Sequence, residues 1–477
     1  MIKIKFSNTY SKLPESFYQR IDPSVAKVPQ LIAFNKDLAD FLQINYSETN
    51  EQEFAETFSG KVILPGSEPL AQAYAGHQFG HWVPRLGDGR AILLGEVKAK
   101  DGLSYDLHLK GAGQTKFSRR GDGRSSLGPV LREFIVSEAM FHLGVPTTRS
   151  LAAVATGETV YREEAVPGAV LTRVAKSHLR VGTFEYFANQ ENIEDLKVLA
   201  DYAINKHDPE ISREEDKYFL FFCRVAERQI NLVTQWLGLG FIHGVMNTDN
   251  TSISGETIDY GPCAFMDEFQ YNKVFSSIDS QGRYAYANQG NVILWNLSIL
   301  VNALFPLLET SSLSEEDLIE KIKAKFDGLK TSFEEKHLVV MANKLGISKP
   351  NKHDVHLVRE FLDFLQAEKL DFTNSFRDLS YEKCLNKAFL DKWKYRISQE
   401  TNTLEEIKKN MRAVNPYLIP RNHQIEKAIQ QANNGDFSHF QKLNRAYLEP
   451  YKESEEFKSL TLPPEPSERV YKTFCGT

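Results

Sequence analysis

The chain has 477 residues, 42% of them hydrophobic and 25% charged, which suggests roughly two or three globular domains with a sizeable core. A net charge of -6 excludes a general attraction to nucleic acid or to anionic membranes. Read by run length, no apolar stretch approaches the roughly 18 residues needed to span a bilayer. Four cysteines, at 223, 263, 384 and 475, include no Cys-x-x-Cys pair, so neither a zinc site nor a disulfide framework is expected. The opening Met-Ile-Lys-Ile-Lys-Phe-Ser lacks a secretory apolar core, and a cytoplasmic location is the expectation.

Residues 1 to about 60 read as an extended arm, interrupted by Pro14, Pro23 and Pro29, with a short helix near Asp37 to Leu42. His77 and His81 are four apart, but Gly76 and Gly80 weaken a helix there, and packed histidines are favoured over a metal site. Gly87-Asp88-Gly89-Arg90 opens a strand, 91–97, and a turn at 100–102 leads to a second, 103–110. In the second strand Leu103, Tyr105, Leu107 and Leu109 alternate with Ser104, Asp106, His108 and Lys110, so the pair predicts a hairpin with Lys110 near its far end. Gly111-Ala112-Gly113 and Arg119-Arg120-Gly121-Asp122-Gly123-Arg124 follow. Glycines let backbone N–H groups approach an anion, and arginines add bidentate charge; neither stretch is a Walker loop.

Pro129 starts a predicted helix, 130–143, apolar almost all round, that carries Glu133 and Glu138. A buried carboxylate in such a setting needs a cation or strong hydrogen bonds; Lys110 is the natural partner for Glu133, Glu138 competes for it, and both carboxylates facing solvent is the alternative. Strands are expected around Ser150 to Tyr161. Arg173, Lys176 and Arg180 then bring three cations into eight residues, suited to a polyphosphate or to internal carboxylates.

A long apolar helix, 218–237, ends at Gly238 and Gly240 and delivers the chain into 240–262, which contains His243, Asp249-Asn250 and Asp259-Tyr260-Gly261. Gly255-Glu256 suits the turn of a hairpin between 252–254 and 257–259, which would bring Asp249, Asn250 and Asp259 together. Such oxygen ligands suit Mg²⁺ held with substrate phosphates. An Asx-rich surface loop is the alternative. A buried helix is expected over 288–308 and ends near Pro306. Several amphipathic helices follow from 314 to about 409, with one more near 424–433 and a polar, Pro-rich tail from 452.

Ordered along the chain, Ala75-Gly-His-Gln-Phe-Gly80, Leu109-Lys-Gly-Ala-Gly113, Arg120-Gly-Asp-Gly-Arg124, Arg132-Glu133, Pro146-Thr-Thr-Arg149, Thr172-Arg-Val174, His243 to Asn250, Ile258-Asp-Tyr-Gly-Pro262, Asn415-Pro416 and the Cys475 tail resemble the selenoprotein O family of YdiU-type protein adenylyltransferases. The resemblance implies an α+β, bilobal protein-kinase-like fold: a sheet-containing N-lobe with its arm over 1–170, a mainly helical C-lobe over 171–450, and a tail over 451–477. It implies transfer of AMP from ATP to Ser, Thr or Tyr hydroxyls of protein substrates, with the nucleotide reversed relative to kinases. Lys110, Arg173 and Arg180 would hold phosphates and Glu133 would orient Lys110. Gly87, Gly89, Arg90, Asp122 and Gly123 would line the nucleotide pocket, Asn250 and Asp259 would bind Mg²⁺ or Mn²⁺, and Asp249 would accept the proton. A redox link between Cys263 and Cys475 is implied in the same way, with two unlinked thiols as the alternative. Asp249 and Asn250 are adjacent, whereas the kinase catalytic loop separates its Asp and Asn. UMP transfer with Mn²⁺ and a non-catalytic nucleotide-binding module are the other readings. No nucleic-acid or membrane partner is expected, and a monomer is.

Overall fold

The computed structural model describes residues 2–190, 192–309 and 314–474; Cys475 lies outside them. The strands are β1 (Tyr18–Arg20), β2 (Gln30–Phe34), β3 (Leu70–Gln72), β4 (Gly76–Gln78), β5 (His81–Val83), β6 (Ala91–Lys98), β7 (Ser104–Lys110), β8 (Ser125–Ser126), β9 (Arg149–Tyr161), β10 (Ala165–Ala175), β11 (Phe241–Ile242) and β12 (Ala264–Phe265). Eight of them form one antiparallel sheet in the order β1-β3-β6-β7-β10-β9-β2, with β8 on β10. The predicted 91–97/103–110 hairpin is β6–β7. Strand β10 was not read as a strand, and it runs unbroken through residue 170. Thr172 and Arg173, on opposite faces of the strand and both buried, interrupt the apolar pattern that would have marked it.

The helices are α1 (Lys36–Phe41), α2 (Glu51–Phe58), α3 (Leu127–His142), α4 (Val181–Asn189), α5 (Ile193–His207), α6 (Lys217–Leu239), α7 (Gln289–Leu308), α8 (Glu315–Lys344), α9 (Asp354–Ala367), α10 (Phe372–Leu379), α11 (Lys387–Ile397), α12 (Leu404–Val414), α13 (Asn422–Asn433) and α14 (Ser438–Ala446). One face of the sheet packs on α1, α2 and the N-terminal arm through Leu38, Phe58, Ile92 and Leu107. The other carries α3, whose apolar surface also meets α13 and α14 through Phe134 and Phe440. Two further cores lie among α4–α7 and among α8–α12.

Helix α6 is 23 residues long and stops where Gly240 adopts a left-handed φ of 69°, the usual C-terminal signal. Residues Tyr286–Leu308 are long and apolar enough by length and composition to cross a membrane. The run-length reading missed this because Asn291, Asn296 and Asn302 interrupt the run. In the fold this helix packs in a core against α4 and α6, and Pro306 sits inside it rather than ending it.

The 252–259 hairpin does not form. Gly255 N–H donates to the Ser252 carbonyl at 3.1 Å with φ 76°, so the turn exists, but its arms pair elsewhere. Ser252 bridges Arg180 and Thr257 bridges Thr147. Both partners are remote in sequence, and the local turn signal could not compete with them.

Candidate active site

Lys110 closes β7, flanked by Ala91 of β6 and Leu171 of β10. Its Nζ donates to Glu133 Oε2 at 2.5 Å and lies 3.5 Å from Asp259 Oδ1. Helix α3 crosses behind the sheet and presents Glu133, 2% exposed, whose other oxygen accepts from Arg173 at 2.6–2.7 Å. Burial alone would raise the Glu133 carboxyl, but Arg173 and Lys110 outweigh it and hold it below its ordinary value. The competing carboxylate, Glu138, is taken by Arg149 at 2.6 Å and 2.9 Å and by Asn35 at 2.7 Å. Of the two candidates, Glu133 is therefore the partner of Lys110.

The 240–262 segment is held from three sides. His243 Nε2 bonds the Ile258 carbonyl at 2.8 Å, its ring stacks on Trp236, and its N–H donates to Gln289. Asn296 of α7 donates to the Met246 carbonyl and to Thr251. These contacts bring Asp249, Asn250 and Asp259 to the wall of a cleft of about 690 Å³ that Lys110, Arg173 and Arg180 also line. Gly87, Gly89, Arg90, Asp122 and Gly123 line it as well. Lys176 does not; it faces a second, more apolar cavity of about 1050 Å³ behind α3.

Asp259 has a left-handed φ of 66°, a strained conformation for a non-glycine residue that clusters at functional sites. Burial would raise its carboxyl, but Lys110, Arg173 and Arg90 dominate and hold it far below the carboxylate range. Asp249 goes the other way. Burial pushes it up to about 6, against the lowering effect of Gln78 and Arg180. A carboxylate with that basicity is a better proton acceptor near neutral pH than an exposed one.

Arg180 lies over the Tyr74 ring, 4.1 Å from its centroid, and 3.8 Å from Asp88 Oδ1. His108 holds the other oxygen of Asp88 at 3.1 Å. Sequence reasoning missed Tyr74, Asp88, His108 and Gln78. Asp88 was visible between two glycines that were themselves singled out, whereas the other three are brought in only by long-range packing. The glycines are needed: a Cβ at Gly87 would stand 2.3 Å from the Phe117 ring, and one at Gly123 would stand 2.1 Å from the Gly113 carbonyl carbon. His77 and His81 lie on β4 and β5, not on one helix face, and His77 Nδ1 meets Glu185 at 2.5 Å.

The donor set fits a small hard cation. Asn250 Nδ2 donates to the Val245 carbonyl at 3.1 Å, which leaves its amide oxygen free to accept, and Asn250 and Asp259 line the same cleft. Mg²⁺ needs only one or two protein oxygens of this kind when phosphates supply the rest. Among the described residues no three His, Cys, Asp or Glu side chains gather as an all-protein metal site. Cys263 is buried, its thiol is pushed up to about 12 by burial, and it donates to the Tyr260 carbonyl at 3.3 Å. The tail returns beside it: Thr473 pairs with Ser276 and donates to the Pro262 carbonyl at 2.5 Å.

A cleft that gathers fixed cations, the side-chain oxygens of Asn250 and Asp259 and a basic carboxylate has the chemistry of a phosphoryl- or nucleotidyl-transfer enzyme. The family model described as Protein adenylyltransferase SelO matches residues 1–447. Relatives named Protein nucleotidyltransferase YdiU are similar over nearly their whole length. The protein of Bradyrhizobium sp. (strain BTAi1) is 48% identical over 492 residues, covering 100% of both chains. That of Nitrobacter hamburgensis is 49% identical over 490 residues, covering 99% of this chain and 96% of its own. That of Maridesulfovibrio salexigens is 48% identical over 487 residues, covering 99% and 98%. The chain belongs to the SelO family of protein adenylyltransferases and is a nucleotidyltransferase by class.

Proposed function

We propose that the chain transfers AMP from ATP to a Ser, Thr or Tyr hydroxyl of a protein. The observation that carries this reading is the shared cleft: Lys110, clamped by Glu133 and 3.5 Å from Asp259, lines it together with Asp249 and Asn250. The acceptor oxygen bonds to the α-phosphorus, the bond from that phosphorus to the bridging oxygen breaks, pyrophosphate leaves, and the hydroxyl proton passes to Asp249. Lys110, Arg173 and Arg180 hold the phosphate chain, with Glu133 keeping Lys110 extended towards it. Gly87, Gly89, Arg90, Asp122 and Gly123 line the nucleotide. Asn250 and Asp259 would hold Mg²⁺, which supplies positive charge to the phosphate oxygens as they take up negative charge.

In the same reading the fold is two-lobed and kinase-like, with the N-lobe and its arm over 1–170, a helical C-lobe over 171–450 that includes the catalytic segment 240–262, and a tail over 451–477. Support comes from the antiparallel sheet that delivers Lys110 against α3 and Glu133, and from the buried α6 that feeds the chain into 240–262. The direction of the nucleotide rests on the family likeness alone.

Intact-mass measurement after incubation of the full chain with ATP, Mg²⁺ and denatured casein tests the reading, with the chain's own mass followed in parallel. An adduct the size of AMP is expected. A phosphate-sized adduct refutes it in favour of a kinase, and nucleotide-dependent thermal stabilisation with no adduct refutes it in favour of a binding module. Arms with UTP and Mn²⁺ read the nucleotide and metal preference.

A further inference from the structure

The Ala75-Gly-His-Gln-Phe-Gly80 segment has no role in the transfer described above. It forms the β4–β5 hairpin, closed by Phe79 and Gly80 with φ 52° and 83°; two positive φ values are what a two-residue turn of the I′ type requires. The hairpin is pinned along the catalytic segment. His77 N–H donates to Thr248 Oγ1 at 2.7 Å, and Phe79 N–H donates to Asn247 Oδ1 at 3.0 Å. Ala75 N–H donates to the Gly182 carbonyl at 2.9 Å. The approach is too close for side chains: a Cβ at Gly76 would stand 2.9 Å from Asp249 Oδ1, and one at Gly182 would stand 2.1 Å from the Ala75 carbonyl oxygen.

At the centre of this contact Gln78 Nε2 donates to Asp249 Oδ2 at 3.1 Å. The other carboxylate oxygen, Oδ1, is buried and has no hydrogen-bond partner. A buried carboxylate oxygen without a donor is costly, and Asp249 lines the cleft, so a hydroxyl that enters there and reaches this carboxylate supplies the missing donor. A neutral amide on the first oxygen fixes the carboxylate's rotation without cancelling its charge.

We propose that Gln78 is a positioning residue for transfer: by holding one oxygen of Asp249 it aims the other at the acceptor hydroxyl, and the β4–β5 hairpin is the frame that keeps it there. The assignment rests on the transfer reading above. Gln78 is not among the residues that line the cleft, so it acts on the reacting hydroxyl through Asp249.

Gln78→Met and Gln78→Glu keep the length of the side chain and lose the amide donor. Transfer to denatured casein is measured by intact mass at saturating acceptor while ATP is varied, and the ATP-dependent rise in melting temperature is recorded alongside. A loss of alignment is expected to lower kcat by about 10- to 100-fold, with KM for ATP and the ATP-dependent rise within twofold of wild type. A merely structural role would move KM, the rise and kcat together, and that result overturns the assignment, as does kcat within twofold of wild type in a variant that folds. Wild-type protein that labels nothing overturns the transfer reading and this assignment with it; labelling by wild type with an unaffected variant overturns this assignment alone.

Discussion

Replacing Glu133 by Gln is the sharpest perturbation of the cleft. Glu133 is buried, and its two oxygens are divided between Lys110 at 2.5 Å and Arg173 at 2.6–2.7 Å. Glutamine keeps the shape but removes the charge and turns one oxygen into a donor that faces a cation. Removing one partner of a buried ion pair costs about 3–5 kcal/mol. With an unfolding entropy of about 2.1 cal/mol/K per residue, a chain of 477 residues unfolds with about 1 kcal/mol/K, so the melting midpoint should fall by about 3–5 °C. The sign with pH follows from the depressed carboxyl. A group held below its ordinary value stabilises above that value and stops doing so as pH falls through the folded one, so the gap between wild type and variant should close in acid. A polyphosphate restores negative charge beside the two cations, and the ATP-dependent rise in midpoint should be at least as large in the variant. Transfer should still fall at least about tenfold, because Lys110 has lost the contact that orients it. Melting curves with and without ATP, with adduct rates by mass, measure all three. A midpoint within a degree of wild type together with an unchanged adduct rate would refute the clamp.

Asp259→Asn removes the charged oxygen ligand, and AMP transfer should fall by about 100-fold or more; adduct formation followed by mass over time checks it, and near-wild-type labelling would remove Asp259 from the metal role. Glu256, remote from the transfer chemistry, gives a pH test. Burial raises its carboxyl from 4.5 to about 7, so the folded chain keeps a proton that the unfolded chain releases, and ionisation costs stability as pH rises from 4.5 through 7. Glu256→Gln should match wild type near pH 4.5 and exceed it at pH 8 by on the order of 3 kcal/mol, read as a midpoint difference of about 3 °C between melts at the two pH values.

The alternation of 103–110 made β7 legible, and the glycines and proline around 127–146 made α3 legible. The burial of the polar face of β7 was not legible. Asp106, His108 and Lys110 are all buried because β7 lies inside the sheet between β6 and β10, and because partners arrive from far away. Lys206 of α5 reaches Asp106 at 2.8 Å, and Glu133 comes from α3. Sequence periodicity reports which residues share a face, not what covers that face. The same limit explains the misplaced pairing of 252–259 and the absence of Gln78 from the expected site. The histidines of its motif drew attention as possible ligands, while the glutamine acts through a contact 171 residues away. Helices α2 and α14 were missed for a local reason: both are short, and their apolar residues are spread among glutamates, glutamines and lysines.

The charges of the cleft follow a pattern that bears on mechanism. Glu133 is shared by Lys110 and Arg173, Asp259 lies near Lys110, and Asp88 lies near Arg180. Lys110, Arg173 and Arg180 therefore each already have a carboxylate nearby, supplied by a different element. A polyphosphate entering this cleft meets cations that are partly neutralised and carboxylates that repel it. A divalent cation held by Asn250 and Asp259 would remove one of those repulsions and free Lys110 to turn towards the phosphates. Glu133 differs: it is buried and bonded to both Lys110 and Arg173, so in the proposed reading it keeps its grip on them while the nucleotide binds. In the proposed transfer the two carboxylates that flank Lys110 thus have separable tasks: one fixes the lysine, the other yields it to the substrate.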